Sequence, residues 1–199
     1  MTCWALIPIK ASGTGKSRLA EALDADARQV LVQDMLAHVA TAAQQARAVS
    51  RVLLVGPSRL GLPEDISLLA DPGTGLNPAI ESAISQISAS DNPLPERLLI
   101  LFADLPEVTS AEIDLLAVAR DGSVAIAPDR HEIGTNALSL PMTVASQFRF
   151  AFGEDSFARH RRECERLGLG FEVILSGGLE RDVDEPADLP DAGARQGKS

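Results

Sequence analysis

The chain has 199 residues, 45% apolar and 23% charged, proportions that suit one folded domain with a sizeable core and exclude wholesale disorder, collagen-like repeats and fibrous structure. Eighteen Lys and Arg stand against 28 Asp and Glu, a net charge of −10, which disfavours nucleic acid and anionic membrane as partners and leaves a small molecule as the expectation. Cys3 and Cys164 alone make neither a disulfide framework nor a zinc pattern, and the first apolar stretch has no basic leader and is broken by Pro8, so a cytoplasmic chain without signal peptide or membrane span is expected.

Short β-rich runs alternate with amphipathic helical stretches, the pattern of an α/β fold with a mostly parallel sheet and helices on both faces. Residues 3–9 read as the first strand, followed by a loop over 10–16. Val32, Met35, Leu36 and Val39 fall at i, i+3, i+4, i+7, which predicts a helix with one apolar stripe, and Asp24 is placed to cap it. Residues 52–55 form the second strand. A turn-rich stretch over 71–75 leads into Asn77-Pro78, read as an N-cap followed by proline at the first helical position. Ile80, Ala83, Ile84 and Ile87 repeat the helical spacing.

Arg97 ends a polar loop, and 98–102 is nearly continuously apolar, as expected of a central strand buried on both faces. Asp104 lies at its C-terminal end. Thr109 and Glu112 have capping-box spacing ahead of Ile113, Leu115 and Leu116, which starts another helix. Strands follow over 124–127 and 137–140, with Asp129, Arg130, His131, Gly134, Thr135 and Asn136 between them. Gly153 precedes a helix with Phe157, His160, Cys164 and Leu167 on one side, and 171–175 is the last strand. The late segment holds Glu180, Asp182, Asp184, Glu185, Asp188 and Asp191 against Arg181. One domain over 1–191 with a flexible tail over 192–199 is the expected organisation.

Three groups of residues could carry chemistry. The loop from Lys10 to Ser17 nearly matches the phosphate-binding pattern G-x-x-x-x-G-K-[ST], with Lys10 in place of the first glycine. No acidic residue occurs before Arg18, which suits a polyphosphate, although an ordinary flexible turn accounts for the loop equally well. The second group is Asp104 with Asp182 and Asp184. Ligands of open α/β sheets bind outside the carboxyl ends of the strands, where Asp104 lies. By spacing alone the Asp182/Asp184 pair reads more readily as a solvated acidic tail. Were the three carboxylates to converge, hard cations would have to join them. The third group is Gly134-Thr135-Asn136 with Gly153 and Ser156, small donors near a helix start that suit a phosphate or carboxylate, or simply a turn and a cap. His160 shares an apolar helix face, so it reads as a packed structural histidine rather than a general base.

In order along the chain, LIPIKASGTGKSRL from Leu6, DPGTGLNPAI from Asp71, FADLP from Phe102, DRHEIGTNAL from Asp129, FGEDSFARH from Phe152 and DVDEPADL from Asp182 together resemble the CofC/FbiD family of guanylyltransferases in coenzyme F420 biosynthesis. The resemblance implies a single-domain, Rossmann-like nucleotidyltransferase of MobA-like (glycosyltransferase-A-like) architecture. It implies GTP as co-substrate, and 2-phospholactate, phosphoenolpyruvate or 3-phosphoglycerate as the acid that is guanylylated with release of pyrophosphate. It assigns Lys10, Lys16, Ser17 and Arg18 to the phosphates and Gly75, Leu76 and Asn77 to the base and ribose. Asp104, Asp182 and Asp184 match the ligands of Mg²⁺, two ions, and Thr135, Gly153 and Ser156 match the acid site. Lys10, Lys16 and Asp104 would carry the catalysis, and a homodimer is compatible with the resemblance. Two rivals stand beside it: a P-loop kinase or NTPase using Lys16 and Ser17, and a nucleotide-binding module without chemistry.

Overall fold

The computed structural model describes residues 2–9, 17–90 and 93–189. Its strands are β1 (Cys3–Pro8), β2 (Val49–Val55), β3 (Ser67–Leu69), β4 (Arg97–Leu101), β5 (Ser123–Pro128), β6 (Thr135–Pro141) and β7 (Gly170–Val173). The helices are α1 (Ala25–Gln45), α2 (Leu76–Ser88), α3 (Ser110–Ala117), α4 (Met142–Ala145), α5 (Ser156–Leu167) and α6 (Gly177–Glu180), with short 3-10 helices at Ser17–Glu21 and Pro186–Asp188. The strands form one sheet in the order β3-β2-β1-β4-β6-β5-β7. Only β6 runs against its neighbours, pairing antiparallel with β4 and β5, while the other pairings are parallel.

The period-2 alternation of each strand feeds two separate cores. Leu99 and Leu101 of β4 join Ala5 and Ile7 of β1 beneath α1, α3 and α6, where Leu36, Val39, Ile113, Leu116 and Leu179 close over them. Leu98 and Ile100 face the other way with Leu6, and Ile80, Ile84 and Cys164 of α2 and α5 cover them. The central strand is thus buried on both faces, as its composition predicts. The expected mostly parallel sheet with helices on both faces is what the chain builds.

Local signals also behave as expected in α1 and α3. Asp24 caps α1, its carboxylate accepting the Ala27 N–H at 2.8 Å, and Thr109 with Glu112 forms the capping box of α3.

The start of α2 differs from the expectation. Gly75, not Asn77, is its N-cap, with a backbone φ of 123° that favours glycine, so Pro78 sits inside the first turn, where its missing N–H costs no helix bond. Arg97 does not end a polar loop. It opens β4 at 2% exposure, its guanidinium donating to the Ser139 hydroxyl and to the carbonyls of Ser139 and Ser123 at 3.0–3.1 Å. The edge strand β3 has no counterpart in the sequence reading, being three half-buried residues long. Lys10, Lys16 and the tail over 192–199 lie outside the described residues. No helix among the described residues is long and apolar enough to cross a membrane.

Candidate active site

The parallel strands β1, β4 and β5 end at one edge of the sheet, and the antiparallel β6 begins there. Leu101 pairs with Ala137, and the Phe102 N–H donates to the Asn136 carbonyl at 3.1 Å. Asp104 therefore lies beside the start of β6, at the edge where ligands of such sheets bind.

The late acidic segment crosses the same edge rather than trailing into solvent. The Asn136 amide donates to the Leu179 carbonyl at 3.0 Å, the Arg130 N–H to the Glu180 carbonyl at 3.1 Å, and the Val183 N–H to the Asp104 carbonyl at 3.2 Å. Val183 is 2% exposed and packs with Leu19 and Met35 in a small cluster of its own. Beyond it, Asp188 pairs with Arg130 and accepts the N–H groups of Asp184 and Glu185 at 3.0 and 2.8 Å. Solvated acidic tails do not acquire such anchors, so spacing alone is misleading here. Half-buried Asp182 and exposed Asp184 flank the buried valine next to Asp104.

The three aspartates are neighbours along the backbone, yet they do not form a ready metal cage. Among the described residues no group of three His, Cys, Asp or Glu is gathered closely enough to hold a metal ion. What remains fits Mg²⁺, which is commonly held by one or two carboxylates together with substrate phosphates and water.

On the other face of the sheet the start of β6 is shaped by a bulge. Ala127 pairs with Ala137 but Pro128 pairs with Thr135, so Asn136 is the extra residue. A bulge reverses the facing of the residues before it. Asn136 accordingly meets α6, and Thr135 faces α5, where its hydroxyl lies 3.1 Å from His160 Nδ1. Thr135, Ser156 and His160 are all buried. The Phe157 N–H, in the first turn of α5, donates to the Ile133 carbonyl at 3.0 Å, which fixes Ser156 beside the loop leading into Thr135. Asp129 shapes that loop by accepting the N–H groups of His131, Ile133 and Gly134 at 2.9–3.1 Å. A Cβ at Gly134 would come within 2.8 Å of the Asp129 carboxylate. Gly153, at φ 119°, makes the turn before α5.

Asn77 commits both ends of its amide to Phe152, whose N–H it accepts at 2.8 Å and whose carbonyl it donates to at 3.1 Å. Phe152 in turn sets its ring against Phe102 at 5.0 Å and edge-on to His160 at 4.6 Å. The segment expected near the nucleotide is thereby linked to the wall of the Thr135 site. Gly75 and Leu76 stand at the start of α2. Arg18 lies in the first 3-10 helix, 3.4 Å from Glu185 across two exposed side chains, a contact worth little by itself.

A P-loop places its G-K-[ST] directly at the start of an α-helix. Here Ser17 opens a five-residue 3-10 helix, and α1 begins only at Ala25 under its own cap. The helix that a kinase or NTPase loop would use is not attached to this one.

A sequence profile of the family described as "Guanylyl transferase CofC like" matches residues 3–192. The chain belongs to this family. It is accordingly a nucleotidyltransferase, of the family that its six ordered motifs resemble. Among the relatives of this CofC-like transferase, a phosphoenolpyruvate guanylyltransferase of Sphaerobacter thermophilus is 39% identical, with 95% of this chain and 91% of the relative covered. A 2-phospho-L-lactate guanylyltransferase of Halorubrum lacusprofundi is 35% identical over 87% of this chain and 76% of the relative. At the level of fold, a nucleotidyl transferase from Methanothermobacter superposes with a TM-score of 0.65 at 14% identity, covering 94% of both chains. A 4-diphosphocytidyl-2C-methyl-D-erythritol synthase from Anaerococcus prevotii gives 0.59 at 10% identity over 94% of this chain and 92% of the other. The expected nucleotidyltransferase architecture is thus borne out.

Sequence reasoning missed several residues that shape this edge. Val183 carries no signal among its acidic neighbours. The Asn136 bulge has none either, because the apolar pattern marks a strand only over 137–140 and leaves Thr135 and Asn136 in the loop before it, whereas β6 begins at Thr135. Asp129 could have been found, since an acidic residue two to five positions ahead of a glycine-containing turn is placed to accept its N–H groups.

Proposed function

We propose that this CofC-like transferase guanylylates a small phosphorylated carboxylic acid with GTP and releases pyrophosphate, as a step of coenzyme F420 assembly. Phosphoenolpyruvate is the first candidate acid, supported by the names of the relatives of highest identity, with 2-phospholactate and 3-phosphoglycerate as the alternatives. What supports the reading is one sheet edge shared by Asp104, the docked segment around Asp182 and Asp184, and the start of β6 at Thr135.

In the reaction a phosphate oxygen of the acid attacks the α-phosphorus of GTP in line. One O–P bond forms, the bond to the bridging oxygen of the β-phosphate breaks, and pyrophosphate leaves with that electron pair. The attacking phosphate is already anionic, so a protein base adds little, and the obstacle is the repulsion between two polyanions. Thr135, Ser156 and the backbone around Gly153 would hold the acid, and Lys10, Lys16, Ser17 and Arg18 the triphosphate. Gly75, Leu76 and Asn77 would border the nucleoside. Asp104, with Asp182 or Asp184, would hold Mg²⁺. That ion supplies charge neutralisation between the two substrates. Positioning and electrostatics then account for most of the acceleration.

The test is a panel of the three acids against each NTP, read by pyrophosphate release and by the mass of the product. GTP with one of the acids should yield a guanylylated acid. Formation of a nucleoside diphosphate would replace the proposal with phosphoryl transfer, and nucleotide binding without turnover on any acid would reduce the protein to a binding module.

A further inference from the structure

We propose that His160 is a positioning residue that locks the Thr135 hydroxyl as a hydrogen-bond donor aimed at the anionic substrate. The inference rests on the reading of Thr135 as part of the acid site and adds to it a residue that touches no substrate.

The argument is one of proton placement. His160 is fully buried. Its Nε2 lies 3.1 Å from the backbone N–H of Ala151, a group that can only donate, so Nε2 must be the unprotonated nitrogen. In a neutral imidazole the remaining proton then sits on Nδ1. Nδ1 faces the Thr135 oxygen at 3.1 Å, and the hydroxyl must accept from it. A hydroxyl that accepts from the ring directs its own proton elsewhere, and among the described residues His160 is the only hydrogen-bond partner of that oxygen.

A charged ring is excluded by the same geometry, since a proton on Nε2 would confront the Ala151 N–H. Burial acts in the same direction, lowering the ring pKa to about 4. The surroundings hold the ring in place: Phe152 meets it edge-on at 4.6 Å and Phe148 lies at 5.9 Å. The Asn136 bulge is what turns Thr135 to this side of the sheet at all. An unlocked threonine hydroxyl would rotate and serve donors and acceptors alike. Phosphate and carboxylate oxygens only accept, so the lock favours an anion before the substrate arrives.

Two amides separate this role from mere packing. His160→Gln retains an acceptor near Nε2 for Ala151 but removes the donor to Thr135. His160→Asn retains an N–H near Nδ1 and removes the acceptor. The acid KM should rise about tenfold in the Gln variant, the value of one hydrogen bond to a charged group, with the GTP KM unchanged and the Asn variant close to wild type. Thr135→Val should raise the acid KM by itself, and His160→Gln should add nothing on top of it. In the wild-type protein, nitrogen NMR of the ring should find the proton on Nδ1.

An unchanged acid KM in Thr135→Val would overturn the acid-site reading. A raised KM there, with Gln and Asn variants alike or with GTP equally affected, would overturn the role of His160 alone. So would a ring proton on Nε2, a measurement that needs no variant to fold.

Discussion

Val183 offers the sharpest test of how the late acidic residues reach the site. Its side chain is the apolar anchor between Asp182 and Asp184, packed with Leu19 and Met35 in a cluster separate from the two main cores. Val183→Ala removes two carbons, about 1.6 kcal/mol of transfer free energy, and the residual cavity raises this to about 2 kcal/mol. That corresponds to about a 30-fold weaker docking of the segment. The Val183 N–H to Asp104 and the Asp188 contacts remain, so the segment should stay mostly docked and turnover should fall only modestly. Val183→Asp adds a carboxylate between Leu19 and Met35, a further several kcal/mol, and should detach it. Because the cluster is separate, the sheet should survive.

Hydrogen exchange reads the docking directly at the Val183 amide, bonded to the Asp104 carbonyl, and guanylyl transfer reads its consequence. Protection should drop about 30-fold in the Ala variant and vanish in the Asp variant, with little change in the sheet, and turnover should be lost with it. If Val183→Asp kept both protection and turnover, the anchoring argument would be wrong. Global unfolding would show equally that the cluster is not separable.

Other outcomes follow from single contacts. Asp104→Asn keeps the backbone carbonyl that binds Val183, so unfolding should be unaltered while guanylyl transfer falls by about 100-fold or more; near-normal turnover would remove Asp104 from the chemistry. Arg97→Met orphans the carbonyls of Ser123 and Ser139 at the far end of β4 and should cost about 2–4 kcal/mol in denaturant titrations, with kcat and KM unchanged. His160 is held neutral by burial, against the opposing pull of Glu163. Between its ordinary value of 6.5 and about 4 the unfolded chain takes up a proton that the folded chain refuses. Stability should therefore be full above pH 6.5 and decline as the pH falls toward 4. Comparing unfolding across that window in wild type and His160→Asn should show the slope reduced in the variant.

The local rules of the chain were legible residue by residue. Periodicity located α1, α2 and α5, the Asp24 cap and the Thr109–Glu112 box followed from side chains bonding within one turn, and the apolar run over 98–102 marked the strand at the centre of the sheet. The motif order named the family. Apart from the motif order, which runs along the whole chain, each of these depends on neighbours a few positions apart, the range over which local patterning carries information.

The remainder depended on residues brought together from far along the chain. Arg97 looks like a loop residue until Ser123 and Ser139 come to bond it, and Asn77 looks like a cap until Phe152, 75 positions away, takes both ends of its amide. Residues 182–184 read as solvated charge because nothing local shows that Leu19 and Met35 await the valine between them. A bulge at Asn136 decides which core Thr135 faces, and strand pairing, not composition, sets that bulge. Spacing fixes what a segment can form, but only packing against distant partners fixes which of its polar atoms remain for a substrate.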